Sequence, residues 1–368
     1  LPSIPNHSSP KILLLTHRSD YFTIDRVAAA LAEAGARPVR LDTDDFPTRI
    51  GLSLRDDGDE GGRPRFCAAP FAAAGEQVPG GLSEPLPDLS RVAAVWTRSP
   101  WPPELPEDLD PAYRQSCADQ CRCLLDGWLD GLHQASWINP PMANQRAGNK
   151  VIQHRLAHRA GLELPPTLIT NDDAQARDFF HRHGGDVMAK LLLPLSRSMD
   201  GSGQFLPTTA LTADDLEHLE ALRLGPMILQ RRVPKDHELR VMVVDGELFV
   251  GAIRTGAVET GTRGPEADDW RVSDPRQVRW RRGRLEPRAA EGLRRLMSSL
   301  GLVAGVADFI ITPQDRAVFL EINPLGEWGM LERDLELAIS HALARALLRR
   351  AASNASATLA SVTHEDRA

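Results

Sequence analysis

Residues 303–323, VAGVADFIITPQDRAVFLEIN, decide how this chain is built. Two apolar runs, 303–311 and 318–323, flank a polar turn centred on Gln314 and Asp315, which predicts an antiparallel hairpin. Glu321 and Asn323 are two residues apart, so on a strand their side chains leave the same face. With that turn, Asp308 stands opposite Glu321, at about 5 Å between Cβ atoms. Asp308, Glu321 and Asn323 then converge as three oxygen donors, the set that a hard divalent cation such as Mg2+ prefers. A solvated polar strand edge is the alternative reading. Against it stand the apolar neighbours Val306, Phe309, Ile310, Phe319, Leu320 and Ile322. Two carboxylates among them repel each other and are costly to bury without a cation.

Outward from this hairpin, Asp245-Gly246 between residues 238–244 and 247–253 is a second hairpin signal. Residues 227–231 read as a further strand, 287–300 as a helix and 330–350 as a final helix, so the C-terminal part is an antiparallel sheet with helices (α+β). Upstream lie a helix over 144–160 carrying Lys150, a helix over 172–183 and a strand over 187–190. A loop rich in glycine, serine and charge follows at 196–203, and Thr212 to Asp215 opens a helix with a capping-box-like pattern. The first part alternates strands (11–16, 38–41, 92–97) with helical segments (23–34, 106–134), and 50–67 reads as a hairpin with an acidic tip. That is an α/β unit with a mostly parallel sheet. The expected divisions are 1–134, 135–225 and 226–350, followed by a tail at 351–368 with no core pattern, expected to be disordered.

The 368 residues are 42% hydrophobic and 25% charged, with a net charge of −7. Ordinary apolar content excludes bulk disorder. There is no run of roughly 18 apolar residues, so no membrane span is expected. The first ten residues are polar and broken by proline, unlike a signal peptide. Mild acidity speaks against a nucleic-acid binder. Four cysteines make no secreted disulfide framework. Cys117 and Cys121 share a helix face and Cys123 does not, so thiols in a reduced, cytoplasmic compartment fit better than a zinc site.

Among 43 basic residues only Lys11, Lys150, Lys190 and Lys235 are lysines. Lys150 on a helix and Lys190 at the end of an apolar strand could hold nucleotide phosphates, covered by the backbone N–H groups around Gly201 to Gly203. Taken singly, either one reads better as a surface lysine. Neither a P-loop nor a dinucleotide fingerprint is present. Arg240, with Arg254 and Arg271 after it, would counter charge developing in phosphoryl transfer on the same sheet as the metal set. The run from Arg276 to Arg284 reads as a solvated strand and turn.

In this order, these residues resemble the ATP-grasp superfamily, and more closely the microviridin-type peptide macrocyclases, or graspetide synthetases. The resemblance is carried by Leu15-Thr16-His17 with Phe22 to Val27, Arg40 to Thr48, Trp137 to Pro140 and Gln145 to Lys150. It continues through Pro234 to Val241, Asp269-Trp270-Arg271 and Leu320 to Pro324, and covers the chain to about residue 350. The opening segment and the stretch from Lys235 to Val241 are specific to the subfamily, whereas the Asp/Glu/Asn set marks the superfamily.

The resemblance implies an ATP-grasp fold with an N-terminal pre-ATP-grasp α/β domain, a central lid and a C-terminal antiparallel-sheet domain. It implies a leader-dependent, ATP- and Mg2+-using ligase on a ribosomal precursor peptide, joining Asp or Glu side chains to Ser or Thr hydroxyls or to a Lys amine. It also implies a homodimer. Lys150 and Lys190 would bind ATP phosphates under Ser202 and Gly203. Gln230, Arg231, Arg232 and Val233 would line the adenine hinge, with Glu238 also on the nucleotide. Asp308, Glu321 and Asn323 would hold Mg2+, and Arg240 and Arg271 would face the transferred phosphate, with Arg254 and Lys190 beside them. Arg231-Arg232 departs from the acidic and aromatic residues common at the hinge. Trp96-Thr97-Arg98 departs from a more basic or tyrosine-containing motif, leaving Arg98 as the part that carries over. An ATP-grasp ligase for free amino acids and a non-catalytic peptide-binding protein are the rival readings.

Overall fold

The stretch KILLLT is apolar at successive positions because its strand is covered on both faces. In a computed structural model, which describes residues 9–56, 65–71, 92–193, 208–254 and 279–365, it forms β1 (Lys11–Thr16). β1 lies between β2 (Arg37–Asp42) and β5 (Val92–Thr97) in a parallel sheet that β6 (Ser136–Ile138) completes, in the order β2-β1-β5-β6. Helix α1 (Thr23–Glu33) crosses from β1 to β2 and buries Ile24, Val27 and Leu31. β3 (Ile50–Arg55) and β4 (Arg65–Pro70) are the expected hairpin, with most of its acidic tip outside the described residues. Helix α2 (Pro111–Asp130) buries Leu125 and Trp128.

Two expectations about this unit need correction. Residues 136–138, read as the opening of the next unit, form β6 (Ser136–Ile138), parallel to β5, so the first unit runs to Pro140. It also takes back residues 338–368, where α8 (Ile339–Glu365) packs on α1, β5 and β6. The tail expected to be disordered therefore continues this helix as far as Glu365. Its alanines carry the highest helix propensity, and the chain is tied down locally. Ala351 is buried, Ser136 Oγ donates to the Arg350 carbonyl at 3.0 Å, and Asn354 Nδ2 donates to the Gln134 carbonyl.

The second unit, residues 141–337, holds two sheets. The helix expected over 144–160 is two helices, α3 (Pro141–Gly148) and α4 (Lys150–Arg159). Between them Asn149 is extended, and its Oδ1 accepts from the N–H groups of Val151 and Ile152 at 3.0 and 3.1 Å, a side-chain cap that starts α4. β7 (Thr167–Thr170), α5 (Asp173–Arg182), β8 (Val187–Leu191), β9 (Thr209–Ala210), a 3-10 helix (Asp214–Arg223) and β10 (Met227–Arg231) follow. Thr212 and Asp215 make the reciprocal bonds of the capping-box pattern. β10 corrects a further expectation. Its sequence groups it with the last sheet, but it pairs antiparallel with both β7 and β8, in the order β7-β10-β8-β9.

The last sheet is ordered β13-β12-β11-β14-β15, from β11 (His237–Val244), β12 (Glu247–Ile253), β13 (Arg281–Arg282), β14 (Ala304–Ile311) and β15 (Ala317–Asn323). Asp245 and Gly246 have φ of 49° and 84°, the left-handed pair that a tight two-residue hairpin turn needs. One face of the sheet carries Leu239, Val241, Val243, Ala307, Phe309 and Ile322 onto α4 and α6 (Pro287–Leu300). Each of the larger side chains among them, Ala307 apart, contributes about 1.5–3 kcal/mol when fully buried. The final helix expected over 330–350 breaks after α7 (Gly329–Leu335), where Glu336 turns left-handed at φ 52°.

Candidate active site

Strand alternation sends Leu239 and Val241 into the core, and therefore turns Glu238 and Arg240 to the opposite face. On that face the register sets Arg240 opposite Asp308, and Asp308 opposite Glu321. The Asp308–Glu321 opposition was expected, but it is reached by another route. The loop is residues 313–315, with Asp315 left-handed at φ 59°, and the outer pairs are Ile311 with Ala317 and Phe309 with Phe319. A bulge at Leu320 then restores Asp308 opposite Glu321.

The two carboxylates meet cations of the chain itself. Arg240 Nη1 donates to Asp308 Oδ1 and Oδ2 at 2.9 and 3.1 Å, with Arg240 6% and Asp308 8% exposed. The other edge of the guanidinium donates to the Glu327 carbonyl, from Nε at 2.9 Å and from Nη2 at 2.6 Å. Lys150, first residue of α4, lies 2.7 Å from Glu321 Oε2. Such pairing answers the desolvation cost that argued for a cation in the hairpin.

Beside this face is a pocket. Its apolar walls are Leu164, Ile169, Ile228, Phe319 and Leu320, and its polar lining is Lys150, Gln153, His154, Thr167, Lys190, Gln230 and Glu321. Gln230 Nε2 donates to Thr167 Oγ1 at 3.0 Å. Burial, with His158 adding to it, holds the His154 imidazole below its ordinary pKa, and its Nε2 is buried without a hydrogen-bond partner. Apolar walls with two ammonium groups suit a ligand that is flat and apolar at one part and polyanionic at another, as a nucleotide is.

Of the residues singled out from sequence, Lys150, Lys190, Gln230 and Glu321 meet at this pocket, and Arg240 and Asp308 share a sheet face with Glu321. Asn323 follows on β15, its Oδ1 accepting from the Leu325 N–H at 3.0 Å. Glu238 Oε1 is 2.7 Å from Lys235 Nζ, and Arg254 is 2.8 Å from Asp236. Arg231 ends β10, exposed; Arg232 Nε is 3.1 Å from Asp186 Oδ1, and Val233 follows it, none of the three lining the pocket. Ser202, Gly203 and Arg271 lie outside the described residues. Gln153, His154, Thr167 and the walls Leu164, Ile169 and Ile228 were not singled out from sequence, since ordinary core residues carry no motif. His154 had a signal, standing four residues after Lys150 and so on the same helix face.

Among the described residues no group of three or more His, Cys, Asp or Glu could hold a metal. The candidate cation set is therefore two carboxylates and one carboxamide, and an all-oxygen donor set fits a hard divalent ion. Burial and the neighbouring Cys117 push the Cys121 thiol up from its ordinary pKa. Among the described residues no helix is long and apolar enough to cross a membrane.

The family of the MvdD pre-ATP grasp domain matches residues 11–63 and 83–145. Among solved structures, the chain is similar to macrocyclase MdnB from Microcystis aeruginosa MRC, at 40% identity and a TM-score of 0.74, over 92% of this chain and 98% of that one. Macrocyclase MdnC from the same organism, bound with precursor peptide MdnA, is 27% identical with a TM-score of 0.77, over 92% and 99%. A Chryseobacterium gregarium RiPP-associated ATP-grasp ligase, in complex with ADP and a leader and core peptide, is 25% identical with a TM-score of 0.78, over 92% and 97%. No curated protein matches the chain. Similarity that spans nearly all of both chains, on a fold whose last sheet brings together Arg240, Asp308 and Glu321 with Lys150 beside them, places the protein: it belongs to the family of graspetide-type ATP-grasp peptide macrocyclases.

Proposed function

We propose that this protein uses ATP and Mg2+ to close rings in a leader-bearing precursor peptide, joining Asp or Glu side chains to Ser or Thr hydroxyls or to a Lys amine. The observation that carries the reading is the meeting of Lys150, Lys190 and Glu321 at one pocket beside the buried Arg240–Asp308 pair. The substrate class is supported by the similarity to MdnC bound with its precursor peptide and to the Chryseobacterium ligase with ADP, leader and core peptide.

A carboxylate is a poor acylating group because oxide leaves badly. In the proposed reaction a substrate carboxylate oxygen attacks the γ-phosphorus of ATP, the bond to the β-phosphate oxygen breaks, and ADP leaves. A hydroxyl or amine of the same peptide then attacks the acyl carbon, the carbon–oxygen bond to phosphate breaks, and the nucleophile releases a proton. Each ring costs the peptide one water. Little covalent work falls to the protein, so positioning and charge dominate.

Lys150 and Lys190 bind phosphate oxygens, a role the family resemblance extends to Ser202 and Gly203, which lie outside the described residues. Gln230 lines the pocket and supports a hinge for the base, whereas Arg231, Arg232, Val233 and Glu238, which the family resemblance also implies, do not line it. Asp308, Glu321 and Asn323 would hold Mg2+, which when bound acts as a Lewis acid on the phosphate oxygens. Arg240 is already oriented by Asp308 and the Glu327 carbonyl, so its charge is in place before the reaction. Arg254 and Arg271 add positive charge around the transferred phosphoryl group. Four free cysteines suit a reducing, cytoplasmic setting, and the family resemblance supports a homodimer.

The test is mass spectrometry of a Thr/Ser- and Asp/Glu-rich peptide with its leader, incubated with the protein, ATP and Mg2+. One water lost per ADP released is expected. ADP formed with the peptide mass unchanged would sink the reading.

A further inference from the structure

β15 is the outer strand of its sheet, so peptide groups along its free edge need partners from elsewhere. At Phe319 the partner is backbone: its N–H donates to the Glu163 carbonyl at 2.8 Å. At Ile322 the partner is a side chain. Gln153 Oε1 accepts from the Ile322 N–H at 3.0 Å, and Gln153 Nε2 donates to the Ile322 carbonyl at 2.7 Å. The same Nε2 also donates to the Ala147 carbonyl at the end of α3. A carboxamide carries the donor and acceptor of a peptide group, so Gln153 pairs with this edge as one residue of a further strand would.

Ile322 lies between Glu321 and Asn323. Gln153 lies three residues after Lys150, nearly one turn along α4, and Lys150 holds Glu321 at 2.7 Å. Helix α4 therefore grips two consecutive residues of β15, once by charge on a side chain and once by paired hydrogen bonds on the backbone. Gln153 is only 2% exposed, so no water substitutes for it cheaply.

We propose that Gln153 is a positioning residue: it locks the backbone between Glu321 and Asn323 and thereby sets where their oxygens stand for a divalent cation. The inference rests on the metal and nucleotide reading given above. Glutamate at this position keeps the acceptor for Ile322 but sets a carboxylate oxygen against two carbonyls. Methionine fills the space and offers neither partner.

Mn2+ serves as the probe, titrated by electron paramagnetic resonance against the full chain with a non-hydrolysable ATP analogue. The proteins compared are the parent, Gln153→Glu, Gln153→Met and Leu156→Ala. Leu156 is on the same helix but packs into the core, so its truncation lowers the melting temperature through a cavity. Groups that orient metal ligands typically shift metal affinity by about 10- to 100-fold, so that loss is expected in both Gln153 variants, with Leu156→Ala within about twofold of the parent. Parent-like Mn2+ affinity in a folded Gln153 variant would overturn the proposal. So would an equal loss in Leu156→Ala, because affinity would then merely follow stability. No Mn2+ binding by the parent itself would remove the metal reading, and this proposal with it.

Discussion

Two regions of this chain bury charge beside a sheet, and they use it differently. In the first unit the carboxyl ends of the parallel strands carry Thr16, His17, Asp42, Thr97 and Arg98, all buried. These groups turn to the hydroxyls, carbonyls and rings of neighbouring loops. Arg40 Nη2 donates to the His17 and Asp20 carbonyls, both at 3.0 Å, and Arg98 Nε donates to Thr23 Oγ1 at 3.1 Å. Thr16 Oγ1 donates to Asp20, Arg18 is ion-paired with Asp44, and the His17 ring stacks on Trp101 at 3.8 Å. In the second unit Lys150 and Glu321 are only partly buried and line a pocket. Charge committed to holding loops together contributes stability, whereas charge lining a pocket can exchange its partner for a ligand. Substitutions in the two regions should therefore be felt in different measurements.

The largest expected effect is on catalysis. Glu321→Gln should slow ring closure by about 1,000-fold or more, roughly 4 kcal/mol of barrier, with a melting temperature close to the parent's. Product and ADP assays check it, and a parent-like rate would break the contrast by removing this carboxylate from the chemistry. Next comes Arg240→Leu, which leaves Asp308 buried without its guanidinium and should cost about 3–5 kcal/mol in denaturant unfolding. A smaller loss would mean that Asp308 finds another partner, and that the second region is less dependent on its own pairs than the first.

Thr16→Val, in the first region, removes the hydroxyl bonded to Asp20 and should cost about 1–3 kcal/mol. ATP turnover per folded molecule should be unchanged, and a selective loss of turnover would erase the distinction between the regions. The smallest effect is a pH dependence. Burial pushes the His17 imidazole below its ordinary pKa, outweighing Asp20, Asp44 and Asp42, which raise it. The unfolded chain then takes up the proton first, so His17's contribution to stability is complete above the ordinary imidazole range and falls as pH drops through it. His17→Phe keeps the stack on Trp101 and removes the titration. Between about pH 7.5 and pH 5 the parent should lose more stability than this variant. Asp42 and Asp45, whose carboxyls burial raises, act in the opposite sense. Identical slopes would leave His17 without this role.

Much of the site was legible because its signals are local. Alternation in 303–323 placed Asp308, Glu321 and Asn323, and a turn in this region was expected. Even so, the right opposition arose from a three-residue loop and a bulge that compensate each other, which no pattern of period two reveals. Scarcity of lysine pointed to Lys150 and Lys190, and both line the pocket. Lys235 is instead engaged with Glu238.

What the sequence by itself determined is most of the longer strands and helices, the Asp245-Gly246 hairpin turn and the face on which the charged residues stand. Those follow from sterics and side-chain alternation within a few residues. Only the tertiary structure decided that β10 sits between β7 and β8, that α8 returns to the first unit, and that Gln153 meets Ile322, 169 residues away. Partner choice at that distance is settled by which surfaces pack and which buried peptide groups remain to be paired, and neither is written in a local pattern.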